Sequence, residues 1–199
     1  MHMAELQLGD IDIDTSNRHA LLQDLHHVCA VIHRQGEIIK HNTGVYFHNV
    51  PVNPFNTHCS VTYTQAEHMG CYKIDVLNNS IYDQVKDENH LQQLMNTPPM
   101  WDLLQHAEVV SQLAHIANHY DLVCKLKPQH VMDLACVLAL IRPGKRHLVN
   151  RCAQQGFTSI QPEIWQQDSN GYTFKKSHAI SLSWTIVVQL NLLIEQLTL

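Results

Sequence analysis

The sequence predicts an α+β protein, with a strand-rich first half followed by a helical second half. Three observations carry this. The run "DIDID" (10–14) alternates charge and apolar bulk with the period of two that marks a strand. Three more stretches before residue 80 read as strands: "GVYFHNVPV" (44–52), "CSVTYT" (59–64) and "CYKIDVLNN" (71–79), the first two separated by the turn-forming "NPFNT". Beyond residue 80, long apolar-periodic stretches are interrupted by prolines.

Taken in order, "DIDID" is followed by "TSNRHALLQDLHHVCAVIHRQ" (15–35). Its apolar residues Leu21, Leu22, Leu25, Val28, Val31 and Ile32 have helical spacing, and Gly36 follows its end, so one helix is expected. In "CYKIDVLNN", Lys73 and Asp75 fall on one strand face and Ile74 and Val76 on the other. "SIYDQVKDENHLQQLMN" reads as a helix that stops at Pro98-Pro99. "MWDLLQHAEVVSQLAHIANHYDLVCKL" reads as one or two helices, and "HVMDLACVLALI" as a strongly apolar helix halted by "RPGK". A poorly patterned stretch, 150–173, precedes a last helix over 175–197.

Composition excludes several classes. At 199 residues and 45% hydrophobic, the chain can bury a core and does not read as disordered. Its six cysteines form no C-x-x-C, which argues against a zinc ribbon and for reduced thiols in a cytoplasmic protein. The sixteen histidines include no H-E-x-x-H. No signal peptide is expected, because charged residues arrive early. The run 179–197 is broken by Gln189, Asn191, Glu195 and Gln196, so it reads as a buried or partner-facing helix and no membrane is expected as a partner. The net charge of −5 divides into −9 over residues 1–121 and +4 over 122–199. An acidic half and a basic half suit a site where metal ions meet a polyanion, and equally suit internal salt bridges.

The acidic run carries the chemistry. On a strand, Asp10, Asp12 and Asp14 share one face, with Ile11 and Ile13 expected to enter the core. Three neighbouring carboxylates destabilise a sheet unless cations compensate. Such hard oxygens suit Mg²⁺ or Mn²⁺, and two ions about 3.5–4 Å apart make the clamp of polymerases and nucleases. That clamp needs a carboxylate from a second strand, and Asp75 is the candidate. The other reading is an edge strand whose charges block aggregation.

Five motifs, in order from residue 9 to residue 193, resemble bacterial replicative DNA polymerases of the C family, the alpha subunit of DNA polymerase III. "GDIDIDTSNR" resembles P-D-x-D-x-D-F, and "NTGVYFHNVPV" resembles R-N-x-G-x-H-A-A-G-V without its H-A-A-G. "TYTQAEHMGCYKIDVLNNSIYDQV" is similar to T-Q-x-x-x-x-x-x-x-G-x-x-K-F-D-F-L-G-L. "YDLVCKLKPQHVMDLACVLALIRPGK" is similar to L-x-K-L-K-P-x-x-x-x-D-L-x-x-x-x-A-L-x-R-P-G, and "GYTFKKSHAISLSWTIVVQLNLL" to Y-x-F-N-K-S-H-A-x-x-Y. Thr15 stands where the family has phenylalanine, and the long insertion between R-P-G and K-S-H is reduced to about thirty residues.

The resemblance implies a nucleotidyltransferase palm like that of DNA polymerase beta over residues 1–95, a helical fingers-like region over 96–174, and a C-terminal helix over 175–199 packing back on the palm. It implies template-directed nucleotidyl transfer with Asp10, Asp12 and Asp75 catalytic and metal-binding, two Mg²⁺ or Mn²⁺ ions, and Asp14 and Lys73 supporting. Arg142, Lys145, Lys176, Ser177 and His178 would bind the nucleotide. The implied partners are primer–template DNA, deoxynucleoside triphosphates, and proteins that supply a phosphate-binding loop and thumb, in the cytoplasm of a bacterial or virus-infected cell. The alternative is a replisome accessory or DNA-binding protein that keeps the fold without catalysis.

Overall fold

The structure, a computed structural model, describes residues 11–34, 36–166 and 174–197. It is α+β, with a four-stranded mixed sheet followed by helices. The chain divides into two units, Met1–Asp83 and Gln84–Leu199.

The first unit holds β1 (Ile11–Thr15), α1 (Arg18–Gln23), β2 (Val28–Arg34), β3 (Glu37–Tyr46), α2 (Tyr63–His68) and β4 (Ile74–Asn78). The strand order is β1-β4-β3-β2, with β1 parallel to β4 and the other pairs antiparallel. The helix expected over 15–35 is a single short helix and a strand. Asn17 caps α1 by accepting from the Ala20 amide at 3.0 Å. The helix ends at Gln23, and Val28, Val31 and Ile32 pair with β3. These β-branched residues favour a pleated surface once a partner strand exists.

The strand expected over 59–64 is also replaced. Thr62 and Gln65 form a reciprocal capping box that starts α2, and Cys59 lies in an isolated bridge with Val52 outside the sheet strands. The strand expected over 44–52 overlaps the end of β3, which begins earlier, at Glu37. One face of the sheet packs Val45 and Val76 against Leu22 of α1. The other packs Val28, Ala30 and Tyr46 against Ala66 of α2, with Val50, Cys59 and Cys71. Ile11 and Ile13 do not enter the core as expected: they are 41% and 38% exposed, because β1 is an edge strand of the sheet among the described residues.

The second unit contains α3 (Glu88–Asn96), α4 (Ala107–Val110), α5 (Tyr120–Leu126), α6 (Val131–Leu140), α7 (Val149–Gln155), α8 (Gln161–Ile164) and α9 (Lys176–Leu197), joined in places by 3₁₀ turns. Residues 100–126 are two short helices and a 3₁₀ turn. The poorly patterned stretch forms α7, a 3₁₀ turn and α8 as far as residue 166. The centre is α6 against α9: Leu134, Val137, Leu138 and Ala179, Ile186, Leu190 belong to one continuous apolar core. By length and composition α9 could cross a membrane, yet Ser183, Thr185 and Asn191 are buried with its apolar residues inside this unit. The Asn191 amide donates to the Leu94 and Thr97 carbonyls at 2.7 and 2.9 Å, capping the end of α3. The boundary between the two units falls after Asp83, so α3 belongs with the helices of the second. Within the second unit the last helix packs along α6 and α3.

Candidate active site on adjacent parallel strands

Parallel pairing of β1 with β4 sets Asp12 directly against Asp75. Neighbouring strands lie about 4.8 Å apart, and in-register residues point to the same side. Two carboxylates are thus brought together from segments 63 residues apart. Asp14 lies two positions further along β1 and accepts from Asn79 Nδ2 at 3.2 Å. Asp10, the remaining predicted acid, lies outside the described residues. Among the described residues, no group of three or more His, Cys, Asp or Glu converges as a metal cage.

Asp75 is held by its own unit. Lys73, immediately before β4, donates its ammonium to Asp75 Oδ2. Thr43 donates its hydroxyl to Oδ1 at 2.8 Å. A break in strand register places Thr43 there. Between Cys29↔Val45 and Val31↔Lys40, β2 advances two residues and β3 advances five. Such a bulge re-aims side chains without ending the sheet. His41 organises it: its Nδ1 accepts from the Thr43 amide at 3.2 Å and the Gly44 amide at 2.9 Å. His41 Nδ1 also lies 3.7 Å from Asp75 Oδ1. With its lone pair turned to two amides, that approach is proximity and not a bond.

Gly44 is required for close approach. A Cβ there would meet Lys73 Cδ at 2.7 Å, so the bare backbone lets the lysine stem lie across β3. Burial alone pushes the Asp75 carboxyl up. The bonds from Lys73 and Thr43, with the lysine charge, more than reverse this and hold it below the usual value. Burial, then the Lys73 charge, hold His41 below its usual value, so it is neutral at pH 7.

The predicted nucleotide-binding residues all belong to the second unit, and they do not form one group there. Arg142 lays its guanidinium over the Phe174 ring, 4.6 Å from the centroid. His178 meets the same ring edge-on at 5.6 Å. Arg142 Nε is buried without a hydrogen-bond partner among the described residues. Lys176 and Ser177 are exposed in the first turn of α9. Lys145 is 5% exposed and donates to the Glu163 and Gln166 carbonyls at 3.0 and 2.7 Å, closing the end of α8. Its ammonium is committed to that helix end.

Compared with family models, with curated proteins and with solved structures, the chain has no match. The site therefore rests on its own geometry. Sequence reasoning missed His41, Thr43 and Gly44, although a glycine inside a strand pattern signals a bulge or a close approach. It also missed Phe174, the ring that links Arg142 with His178.

The donor set can be tested against a divalent cation. Asp12 and Asp75 offer hard oxygens from two rigid strands, which suits Mg²⁺ bound through one or two carboxylates plus water and phosphate. The Lys73 and Thr43 bonds take one lone pair from each Asp75 oxygen and leave another for a metal. The residues fit.

Proposed function

We propose that the chain is a metal-dependent nucleotidyltransferase core, a reduced palm of the DNA polymerase beta type. Its reaction on this reading is template-directed DNA synthesis with partner proteins. The observation that carries the reading is the in-register pairing of Asp12 with Asp75. This reading calls for a carboxylate on a second strand, and the register of Asp75 on β4 supports it.

In this reading Asp12 and Asp75, with Asp10, would hold the ions. When bound, they neutralise phosphate charge and favour the deprotonated form of an attacking hydroxyl. The chain's own residues do the rest by positioning. Lys73 and Thr43 fix the Asp75 rotamer, and His41 fixes the bulge that presents Thr43. Within the second unit, taken by itself, Arg142 offers a planar fork suited to phosphate oxygens, steadied on Phe174. His178 shares that ring, and Lys176 adds a point charge. Lys145 acts here only through the helix end it closes.

A second reading has its own observation. Lys73 already places a positive charge on Asp75, as a protein that had given up metal chemistry would need. That chain would be a replisome accessory or DNA-binding protein.

Extension of a labelled primer separates the two. The natural chain and Asp12→Asn are compared with Mg²⁺ or Mn²⁺, alone and with proteins that co-purify. Template-correct incorporation that is lost in the variant supports the transferase. No incorporation under any condition, with metal affinity the same in both proteins, supports the accessory reading.

A further inference from the structure

The first unit carries nine Asp or Glu against four Lys or Arg, so a local positive site there has to be built. Two of those four, Arg18 and Lys40, line the same cleft, joined by His19 and His27. The cleft lies between α1 and the β2–β3 pair, encloses about 250 Å³, and has Leu22 and Gln23 in its wall and, among the described residues, no carboxylate. It is not the metal site seen from behind. Leu22 packs on Val76, and Val76 alternates with Asp75, so α1 covers the sheet face opposite the carboxylates.

The two cations are set differently. Arg18 is pinned: its Nε donates to the Val76 carbonyl at 3.0 Å and its Nη2 to the Thr43 carbonyl at 3.3 Å. Carbonyls orient a guanidinium without cancelling its charge. Among the described residues, no carboxylate lies within ion-pair distance of it. Lys40 is exposed on β3 and adds a second positive charge to the cleft. His27 donates Nδ1–H to the Leu25 carbonyl at 2.8 Å, a carbonyl being an acceptor only, which leaves Nε2 for the cleft.

We propose that this cleft binds a phosphate group. An oriented guanidinium beside a lysine is the pairing that phosphate oxygens select. The volume is below the roughly 300–1,000 Å³ of pockets that enclose a drug-sized ligand, so it accepts a phosphate and not a whole nucleoside triphosphate. Two sources carry that group: the backbone of a single-stranded nucleic acid, or a free phosphate. The proposal does not depend on the metal reading, because the two sites occupy opposite faces.

The test uses the full chain, with Lys40→Gln in the cleft and Lys86→Gln as a control outside it. Binding of a fluorescent oligothymidylate is followed from 50 to 200 mM salt, and inorganic phosphate is titrated by calorimetry. Each phosphate contact with a single strand contributes about 0.7 to the slope of log K on log salt. If the source is a nucleic acid, Lys40→Gln lowers that slope by about 0.7 and Lys86→Gln leaves it unchanged. If the source is free phosphate, calorimetric binding weakens in Lys40→Gln alone and the oligonucleotide slope stays the same. As a check needing no variant, amide shifts of the natural chain on adding phosphate or oligothymidylate should concentrate at residues 18–29 and 40. Unchanged binding in both variants, or shifts spread elsewhere, overturns the proposal.

Discussion

The two units hold themselves together by different means. The second has one continuous apolar core running from Leu104 to Leu190 through α6 and α9. The first splits its core into small clusters on the two faces of a narrow sheet and leaves Ile32, Ile38, Ile39 and Phe55 exposed. Its site is fixed by polar tethers instead: Lys73 and Thr43 on Asp75, two amides on His41, and Arg18 across two carbonyls. Apolar packing is non-directional and tolerates shape-conserving change. Charged hydrogen bonds are directional and depend on pH and partner. Substitutions in the second unit should therefore act on stability, and those in the first on the geometry around Asp75.

The largest effect is expected in the apolar core. Leu134 is fully buried at the centre of α6, so Leu134→Ala should cost about 2–5 kcal/mol in denaturant unfolding. A cost below about 1 kcal/mol would mean that this core is not packed as described.

Next comes the tether. Gly44→Ala drives a methyl into the Lys73 stem, and overpacking of this kind costs about 1–3 kcal/mol. If the lysine moves off Asp75, the carboxyl also rises toward its ordinary value, which carboxyl-carbon NMR titration reads directly. Acid attacks the same tether. Asp75 and His41 both bind protons more weakly folded than unfolded, so the unfolded chain takes up more protons and stability falls with pH. The His41 share is lost as pH falls below about 6.5 and the Asp75 share below about 4. Unfolding of the first unit that stayed unchanged from pH 7 to pH 3 would contradict both assignments.

The smallest effect is expected at the start of α2. Thr62→Ala removes half of a capping box and should cost about 1 kcal/mol, with Thr62→Ser restoring most of it.

The same contrast explains what the sequence made legible. Elements whose own pattern decides them were readable: β1 and β4 by alternation, α6 and α9 by apolar density, and the break at Pro98-Pro99. The pairing of Lys73 and Asp75 on one strand face followed from the period of two. Elements decided by long-range pairing were not readable. Val28–Arg34 continues a helical pattern and becomes a strand only because Glu37–Tyr46 lies beside it. The capping box Thr62–Gln65 was present as a local signal and outweighs the strand propensity of "CSVTYT". The bulge that brings His41 and Thr43 to the site has no signature apart from Gly44. The burial of Lys145 has none at all, since its partners are backbone carbonyls eighteen and twenty-one residues away.

The central claim is that Asp12 and Asp75 form one divalent-cation site. The most direct test is Mn²⁺ binding, followed by electron paramagnetic resonance, in the natural chain, Asp12→Asn and Asp75→Asn at pH 7. The account predicts saturable binding in the natural chain, displaced by Mg²⁺ and weakened in both variants while the fold is kept. Binding of equal strength in all three proteins, or in none, would contradict it and leave Lys73 as the cation that Asp75 holds.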